Sequence, residues 1–308
     1  MTQAPDITSK SWIMVIVLGL TWGGTFLVIE LALQGITPFW LAASRIGFGG
    51  ALTVAVWLGR GGRLFEARPT SGQWVNLGII GLLSSTVPFM LLSWGQQYVT
   101  SGFAGVSMAS VALIVLPMAH FMVPGERMTW RRFSGFGIGF AGVVILIGGQ
   151  AFESTGAALE MPGRIACLGA AGCYAISAIL MRGLPAVDPV GLSAVLLMIG
   201  AVCVVPVAWA VEGPPALPDT RTLWYVAFLG LVPTAAANLL RVTVVRSAGP
   251  VFLSLVNYQV PVWSVLLGAL ILGEALPPSL IWAMALILAG VGLSQYGALR
   301  RLFVPGAR

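Results

Sequence analysis

The chain has 308 residues, of which 58% are hydrophobic and only 8% are charged. A water-soluble domain carries about 25% charged residues, so this composition excludes an ordinary soluble fold and makes lipid the solvent for most of the surface. The net charge of +6 does not indicate a nucleic-acid partner, because arginines that flank membrane spans account for such an excess.

Apolar runs of membrane-spanning length follow one another along the whole chain. A bilayer core needs about 20 apolar residues per helix, and breaks as short as Gln34–Ile36 require antiparallel neighbours. The pattern predicts an all-α polytopic membrane protein with ten transmembrane helices. The expected spans are 11–33, 37–58, 73–96, 101–123, 130–149, 162–182, 189–211, 223–246, 249–272 and 279–298.

Basic residues concentrate on one side of this arrangement, whereas the loops of the other side carry only Arg164 and Arg221. Lys and Arg are enriched in cytoplasmic loops. We therefore expect a multi-pass protein of a cell inner membrane with both termini in the cytoplasm. The residues on the basic side are Lys10, Arg60, Arg63, Arg68, Arg127, Arg131, Arg132, Arg182, Arg246, Arg300, Arg301 and Arg308.

Two motifs recur 148 positions apart. Gly125–Glu126 corresponds to Gly273–Glu274, and Ala141–Val143 corresponds to Ala289–Val291, since both segments read Ala-Gly-Val. Arg127 follows the first Gly-Glu pair, but no basic residue directly follows the second. The same motif therefore lies on opposite sides of the membrane in the two copies.

This reversal predicts two inverted five-helix repeats around a central cavity, because a unit with an odd number of spans enters the membrane in the opposite sense when it is duplicated. We expect repeats over 11–150 and 151–300, followed by a cytoplasmic tail over 301–308. Inverted repeats are typical of alternating-access transporters, whose substrate site lies near the midplane between the repeats.

The chain resembles drug/metabolite transporters with two EamA-type domains, and among them the YddG-like amino-acid exporters. The resemblance implies alternating-access export of neutral and aromatic amino acids and related small metabolites. It rests on Thr21–Phe26, Pro38, Arg45, Pro261, Gly273–Glu274 and Leu288–Val291.

Uncharged polar and aromatic residues at mid-depth are the candidates for substrate binding, because polar side chains inside spans avoid lipid. Some of the Ser and Thr residues have the alternative of bonding their own helix backbone. The predicted substrate-binding residues are Trp22, Thr25, Thr86, Phe89, Ser107, Ser110, Tyr174, Ser177, Asn238, Asn257, Tyr258 and Trp263. The predicted hinges are Pro88, Pro233 and Pro261, since proline removes a helix hydrogen bond.

Glu30 and Arg45 are charges inside spans, and at a rise of about 1.5 Å per residue their depths differ by about 5 Å. We predict that they form a structural ion pair; the alternative is substrate contact or proton coupling through Glu30. Because Glu30 is the embedded carboxylate in this reading, we expect transport to be facilitated or only weakly coupled.

No catalytic constellation is evident, so we do not expect an enzyme. The odd set Cys167, Cys173 and Cys203 lies in apolar stretches without metal-ligand spacing, and we expect no metal and no cofactor. The expected partners are amino-acid substrates and membrane lipid, and the sequence is compatible with a monomer. Two alternatives remain, namely a proton-coupled multidrug or metabolite antiporter and a lipid-handling membrane protein.

Overall fold

Apolar helices follow one another through the computed structural model, which describes residues 8–65, 69–123, 128–148 and 159–303. Nine of the described helices are long and apolar enough to cross a bilayer, and a shorter apolar helix of 17 residues brings the number to the predicted ten. They are α1 Ser9–Ala32, α2 Pro38–Gly59, α3 Ser71–Gly95, α4 Ser101–Met122, α5 Trp130–Gly148, α6 Glu160–Met181, α7 Pro189–Glu212, α8 Thr220–Gly249, α9 Val256–Leu272 and α10 Pro278–Phe303.

Several helices start at residues that satisfy their first free N–H groups, as helix N-termini require. The Asp188 carboxylate accepts from the Gly191 N–H at 2.8 Å before α7, and Asp219 accepts from the Thr222 N–H at 2.8 Å before α8. The N-cap position of α4 is held by Thr100, whose hydroxyl accepts from the Phe103 N–H.

The boundary between α8 and α9 is the place where the observed helices depart most from the predicted spans. Gly249 has a φ of +86°, a left-handed conformation that glycine adopts without steric cost. The chain then makes one more helical turn, breaks at Ser254–Leu255 and continues as α9 from Val256. The predicted span 249–272 therefore contains a kink and a short turn before the regular helix.

Large apolar side chains cover the outside of the helices. Val202 and Leu270, for example, are 74% and 80% exposed although both lie within apolar helices. In water such a surface would be unstable, whereas in a bilayer it faces hydrocarbon. This surface confirms the polytopic membrane fold that the composition predicts.

Helices α2 and α7 pack antiparallel and are joined at both ends. The Glu212 carboxylate, at the end of α7, accepts from the Phe39 N–H at 2.9 Å and the Trp40 N–H at 3.1 Å, at the start of α2. At the other end Arg60 lies 3.6 Å from Asp188. Pro38 and Pro189 are equivalent positions of the two repeats, and they start α2 and α7 respectively. Because the two helices are antiparallel, these equivalent prolines lie at opposite ends of the pair.

The packing of α5 against α10 obeys the same symmetry. Glycines 142 and 290 are 148 positions apart, and each packs against two residues of the other helix. Gly142 lies against residues 283 and 287, and Gly290 lies against residues 135 and 139, so the contact partners are also 148 positions apart. The predicted inverted repeat is therefore visible as a set of reciprocal contacts between the two halves.

A π-helical segment interrupts α3 and α8 at equivalent positions. It covers Leu82–Thr86 in α3 and Gly230–Ala236 in α8, next to the Gly81–Leu82 and Gly230–Leu231 pairs that match between the repeats. Such wide turns inside α-helices often accompany functional sites. They mark α3 and α8 as the irregular helices of the two halves.

A bulkier residue at Gly135 should weaken the α5–α10 contact, because a Cβ at this position would lie 2.6 Å from the Gly290 carbonyl oxygen. We expect Gly135→Val to lower the free energy of unfolding by about 1–3 kcal/mol, the usual effect of overpacking. Gly137→Val on the same helix is the control, since that position has open space around it. Equal loss of thermal stability in detergent for both variants would contradict this packing.

Candidate substrate site

The two π segments lie where α2 and α7 cross the opposite halves. A Cβ at Gly49 of α2 would lie 3.0 Å from the Gly230 carbonyl oxygen, and one at Gly200 of α7 would lie 3.4 Å from the Ser85 Cβ. The absence of a side chain at both glycines thus lets each helix approach the π segment of the other half closely. These two crossings bring residues from both repeats to the centre of the protein.

Arg45 lies at the crossing of α2 and α8 and is only 7% exposed. Its Nε–H donates to the Thr234 hydroxyl at 2.9 Å, inside the π segment of α8. Its guanidinium lies 4.1 Å from the centroid of the Phe89 ring on α3, a cation–π distance. Tyr174 of α6 packs against the same apolar cluster as Phe89.

Trp22 and Asn238 complete this group on the α1 and α8 side. The Trp22 indole N–H donates to the Pro233 carbonyl at 3.0 Å, and the Asn238 amide donates to the Thr234 carbonyl at 2.6 Å. Trp22, Phe89, Tyr174 and Asn238 are predicted site residues that the structure brings to one region around Arg45. We call Trp22, Arg45, Phe89, Tyr174, Thr234 and Asn238 the central cluster.

Other predicted site residues take up the alternative of bonding their own helix. The hydroxyl of Thr25 donates to the Thr21 carbonyl at 2.9 Å, that of Ser107 to Phe103 at 2.9 Å, and that of Ser177 to Tyr174 at 3.0 Å. All three side chains are buried. These hydrogen bonds satisfy the three hydroxyls within their own helices, as that of the Asn238 amide does, and substrate contact stays a prediction for all four residues.

The remaining predicted positions are spread over the protein. Among the described residues, the hydroxyls of Thr86, Ser110 and Tyr258 are buried and have no hydrogen-bond partner. Asn257 lies exposed in the first turn of α9, away from mid-depth. Trp263 packs against Gly23 of α1.

The three predicted hinge prolines are all at irregular or buried helix positions. Pro88 follows the π segment of α3, and Pro233 lies inside that of α8. Pro261 is buried inside α9, where its carbonyl accepts from the Ser264 hydroxyl at 2.9 Å. Their role as hinges stays a prediction.

The predicted ion pair between Glu30 and Arg45 is not formed. Arg45 turns toward α8, whereas Glu30 lies beside Gln96 and within electrostatic range of Glu274, which follows α9. Among the described residues, the Oε2 atom of Glu30 is buried without a hydrogen-bond partner. Similar depth did not bring the two charges together, because depth does not determine the direction in which a side chain leaves its helix.

The buried ion pair of the described chain lies elsewhere, between Arg164 and Glu160 in the first turns of α6. The Arg164 guanidinium also donates to the Ile147 carbonyl of α5 at 2.7 Å. The sequence predicts Arg164 only as a residue on the membrane side that has few basic residues, close to the start of the span 162–182. Glu160 and Arg164 are four residues apart, which places them on the same face of a helix. This spacing could have predicted their ion pair from the sequence.

The second Gly-Glu motif joins the two halves. Gly273 ends α9 with a φ of +68°, which is typical of glycine after a helix. The Glu274 carboxylate then accepts from the Ser101 N–H at 2.7 Å and the Gly102 N–H at 3.0 Å at the start of α4. The first motif, Gly125–Glu126, lies outside the described residues.

This fold, with two interleaved five-helix halves and a polar and aromatic cluster between them, defines a membrane transporter built from inverted repeats. The EamA-like transporter family matches residues 9–148 and 161–295. The chain belongs to this family and contains two EamA repeats.

Known relatives extend over nearly the whole chain. The uncharacterized inner membrane transporter YedA of Escherichia coli (strain K12) is 30% identical over 91% of this chain and 89% of its own. A "Probable terminal-alkyne amino-acid exporter" of Streptantibioticus cattleyicolor is 26% identical over 98% and 99%. One solved crystal structure has the same fold, with a TM-score of 0.65 at 24% identity over 95% of this chain and 99% of the other.

Removal of the Glu274 carboxylate should destabilise the junction between α9 and α4. Glu274→Ala leaves two N–H groups of α4 without their acceptor, and we expect a loss of about 1–3 kcal/mol in the free energy of unfolding. Glu274→Gln keeps one acceptor oxygen and should lose less. Thermal unfolding of the purified variants measures this order, and an alanine variant as stable as the wild type would refute the capping role.

Proposed function

We propose that this protein is an alternating-access exporter of neutral and aromatic amino acids and related small metabolites in a cell inner membrane. The observation that carries the proposal is the central cluster. It combines aromatic rings with hydrogen-bonding groups and draws on α1, α2 and α3 of one repeat and α6 and α8 of the other. A site at the contact of two inverted repeats is accessible from alternate sides when the repeats rock against each other.

The chemistry of the central cluster supports this substrate class. Trp22, Phe89 and Tyr174 offer aromatic surface, and Asn238 offers an amide. A small solute with both polar and apolar parts suits such a wall better than a highly charged one. The likeness to an amino-acid exporter at 26% identity agrees with the proposal.

A specific observation favours proton-coupled exchange as the second candidate. The buried Oε2 atom of Glu30 has no protein partner among the described residues, and Glu274 is a second carboxylate nearby. A carboxylate embedded in a membrane helix without a protein partner is a candidate carrier for a proton. Glu30 is therefore the residue whose substitution separates facilitated from proton-coupled transport.

The pocket between α2 and α3 bears on the lipid-handling alternative. It is open to the outside and lined by Phe39, Val87, Met90, Leu91 and Trp94, all of them apolar. A path for lipid headgroups needs polar groups along a lateral opening. This lining supports a surface in contact with lipid tails rather than a path for headgroups.

Transport by purified protein in liposomes tests the leading proposal against proton coupling. We expect uptake of radiolabelled phenylalanine and leucine down their gradients, with weak dependence on an imposed pH gradient. Glu30→Gln should keep this uptake. Asp219→Asn is the control, because asparagine caps a helix as well as aspartate. No uptake of any amino acid would refute the function, and a steep pH dependence lost only in Glu30→Gln would establish the proton-coupled alternative.

Reporter fusions test the proposed orientation with both termini in the cytoplasm. The basic residues Lys10, Arg60, Arg182 and Arg246 lie at the helix ends that this orientation places inside. We expect a fluorescent protein fused after residue 308 to fold and fluoresce, and alkaline phosphatase at the same point to be inactive. Alkaline phosphatase fused after Glu212 should be active, and the reverse pattern would contradict the orientation.

A further inference from the structure

Arg45 is a buried cation for which the structure provides no counter-ion. Among the described residues, no carboxylate lies within the 4.0 Å that defines an ion pair with its guanidinium. A charged side chain inside a membrane protein normally has a partner or a function, because its burial is costly. Arg164, the other deeply buried arginine, has both a carboxylate and a carbonyl partner.

The contacts of Arg45 hold the guanidinium in place without neutralising it. The Nε–H donates to Thr234, and one face of the group stacks on Phe89. The two terminal nitrogens have no hydrogen bond to the described residues, and neither is among the fully enclosed atoms that lack a partner. They are therefore the donors that remain available to a bound molecule.

The second repeat shows that this crossing does not require an arginine. Seven positions after the helix-starting proline, the first repeat has Arg45 and the second has Leu196. The Leu196 carbonyl accepts from the Ser85 hydroxyl at 3.2 Å, so the equivalent crossing is joined through the backbone. An arginine at this position is therefore present in the first repeat and absent from the second. A role in helix packing alone does not explain this difference.

We propose that the Arg45 guanidinium binds the carboxylate group of the transported molecule, with Phe89 and Tyr174 beside the rest of the molecule. This inference deepens the proposed export of amino acids and rests on it. The planar guanidinium donates two parallel N–H bonds to the two oxygens of a carboxylate. A single bound carboxylate would neutralise the cation that the protein leaves without a counter-ion.

The charge around Arg45 favours a singly charged carboxylate over a phosphorylated solute. The guanidinium contacts Thr234 and Phe89, and neither residue adds a second cation. Thr86 lies one turn before Phe89 on α3, is 4% exposed and has a hydroxyl without a protein partner. It provides a hydrogen-bond partner for another polar group of the substrate.

Ligand-induced thermal stabilisation of the purified protein tests the inference without requiring transport. The probes are phenylalanine, phenylacetate and phenylacetamide, since the amide keeps the ring and lacks the charge. We expect the wild type to bind the two carboxylates and to bind the amide weakly. Arg45→Gln should weaken the binding of both carboxylates by about 10- to 100-fold, the effect of losing hydrogen bonds to a charged group, and leave the amide unchanged.

Two further variants make the test independent of a single substitution. Arg45→Leu places at this position the residue that the second repeat carries, and should show the same selective loss. Arg45→Lys keeps the charge but not the paired N–H donors, and it should lose less of the carboxylate binding. Arg221→Gln is the matched control on α8, because Arg221 is exposed, and it should bind carboxylates like the wild type.

The outcomes distinguish this inference from the proposed function. In one outcome, liposomes take up amino acids, but Arg45→Gln and Arg45→Leu change the binding of the carboxylates and of the amide equally. This outcome would overturn the inference and leave the proposed function standing. Carboxylate binding that depends on Arg45, without uptake of any amino acid, would support the site and overturn the proposed function. Absence of carboxylate binding to the wild-type protein would overturn the inference.

Discussion

Polar groups inside a bilayer must find their partners within the protein, because hydrocarbon offers no hydrogen bonds. This constraint is most severe at the π segments, where the regular helix pattern is interrupted. The Pro233 carbonyl receives the indole N–H of Trp22, and the hydroxyl of Ser85 donates to α7. Each irregular segment thus forms at least one hydrogen bond with a helix of the opposite half. The same contacts hold the two halves together.

The sequence predicts most of the fold because the bilayer imposes a simple length on each apolar run. The ten apolar helices and the two repeats are confirmed, although the ninth helix is shorter than its predicted span, and the 148-residue spacing also relates the reciprocal contacts of Gly142 and Gly290. The boundary at Gly249 was not predicted in detail, since a left-handed glycine followed by one extra turn leaves the hydropathy unchanged. The π segments were also not predicted, because hydroxyl residues and prolines such as Ser85 and Pro233 occur in regular membrane helices as well.

The candidate site was predictable only in part. Depth can be counted along a helix, and it selects Trp22, Phe89, Tyr174 and Asn238 as polar or aromatic residues within the predicted spans, which the structure brings to one region around Arg45. The direction of a side chain depends on how the helices rotate against their neighbours, which one sequence does not reveal. For this reason the prediction of an ion pair between Glu30 and Arg45 was wrong. The sequence did contain one indication that Arg45 has a role of its own. The equivalent residue of the second repeat is a leucine, Leu196.

The position of a bound substrate is the most direct measurement of the account as a whole. Diffraction from crystals grown with 4-bromophenylalanine would locate the ligand by the anomalous signal of its bromine. The account predicts one ligand between the halves, with its carboxylate against Arg45 and its ring beside Phe89 and Tyr174. A ligand bound to one half alone, or one whose carboxylate lies away from Arg45, would contradict it.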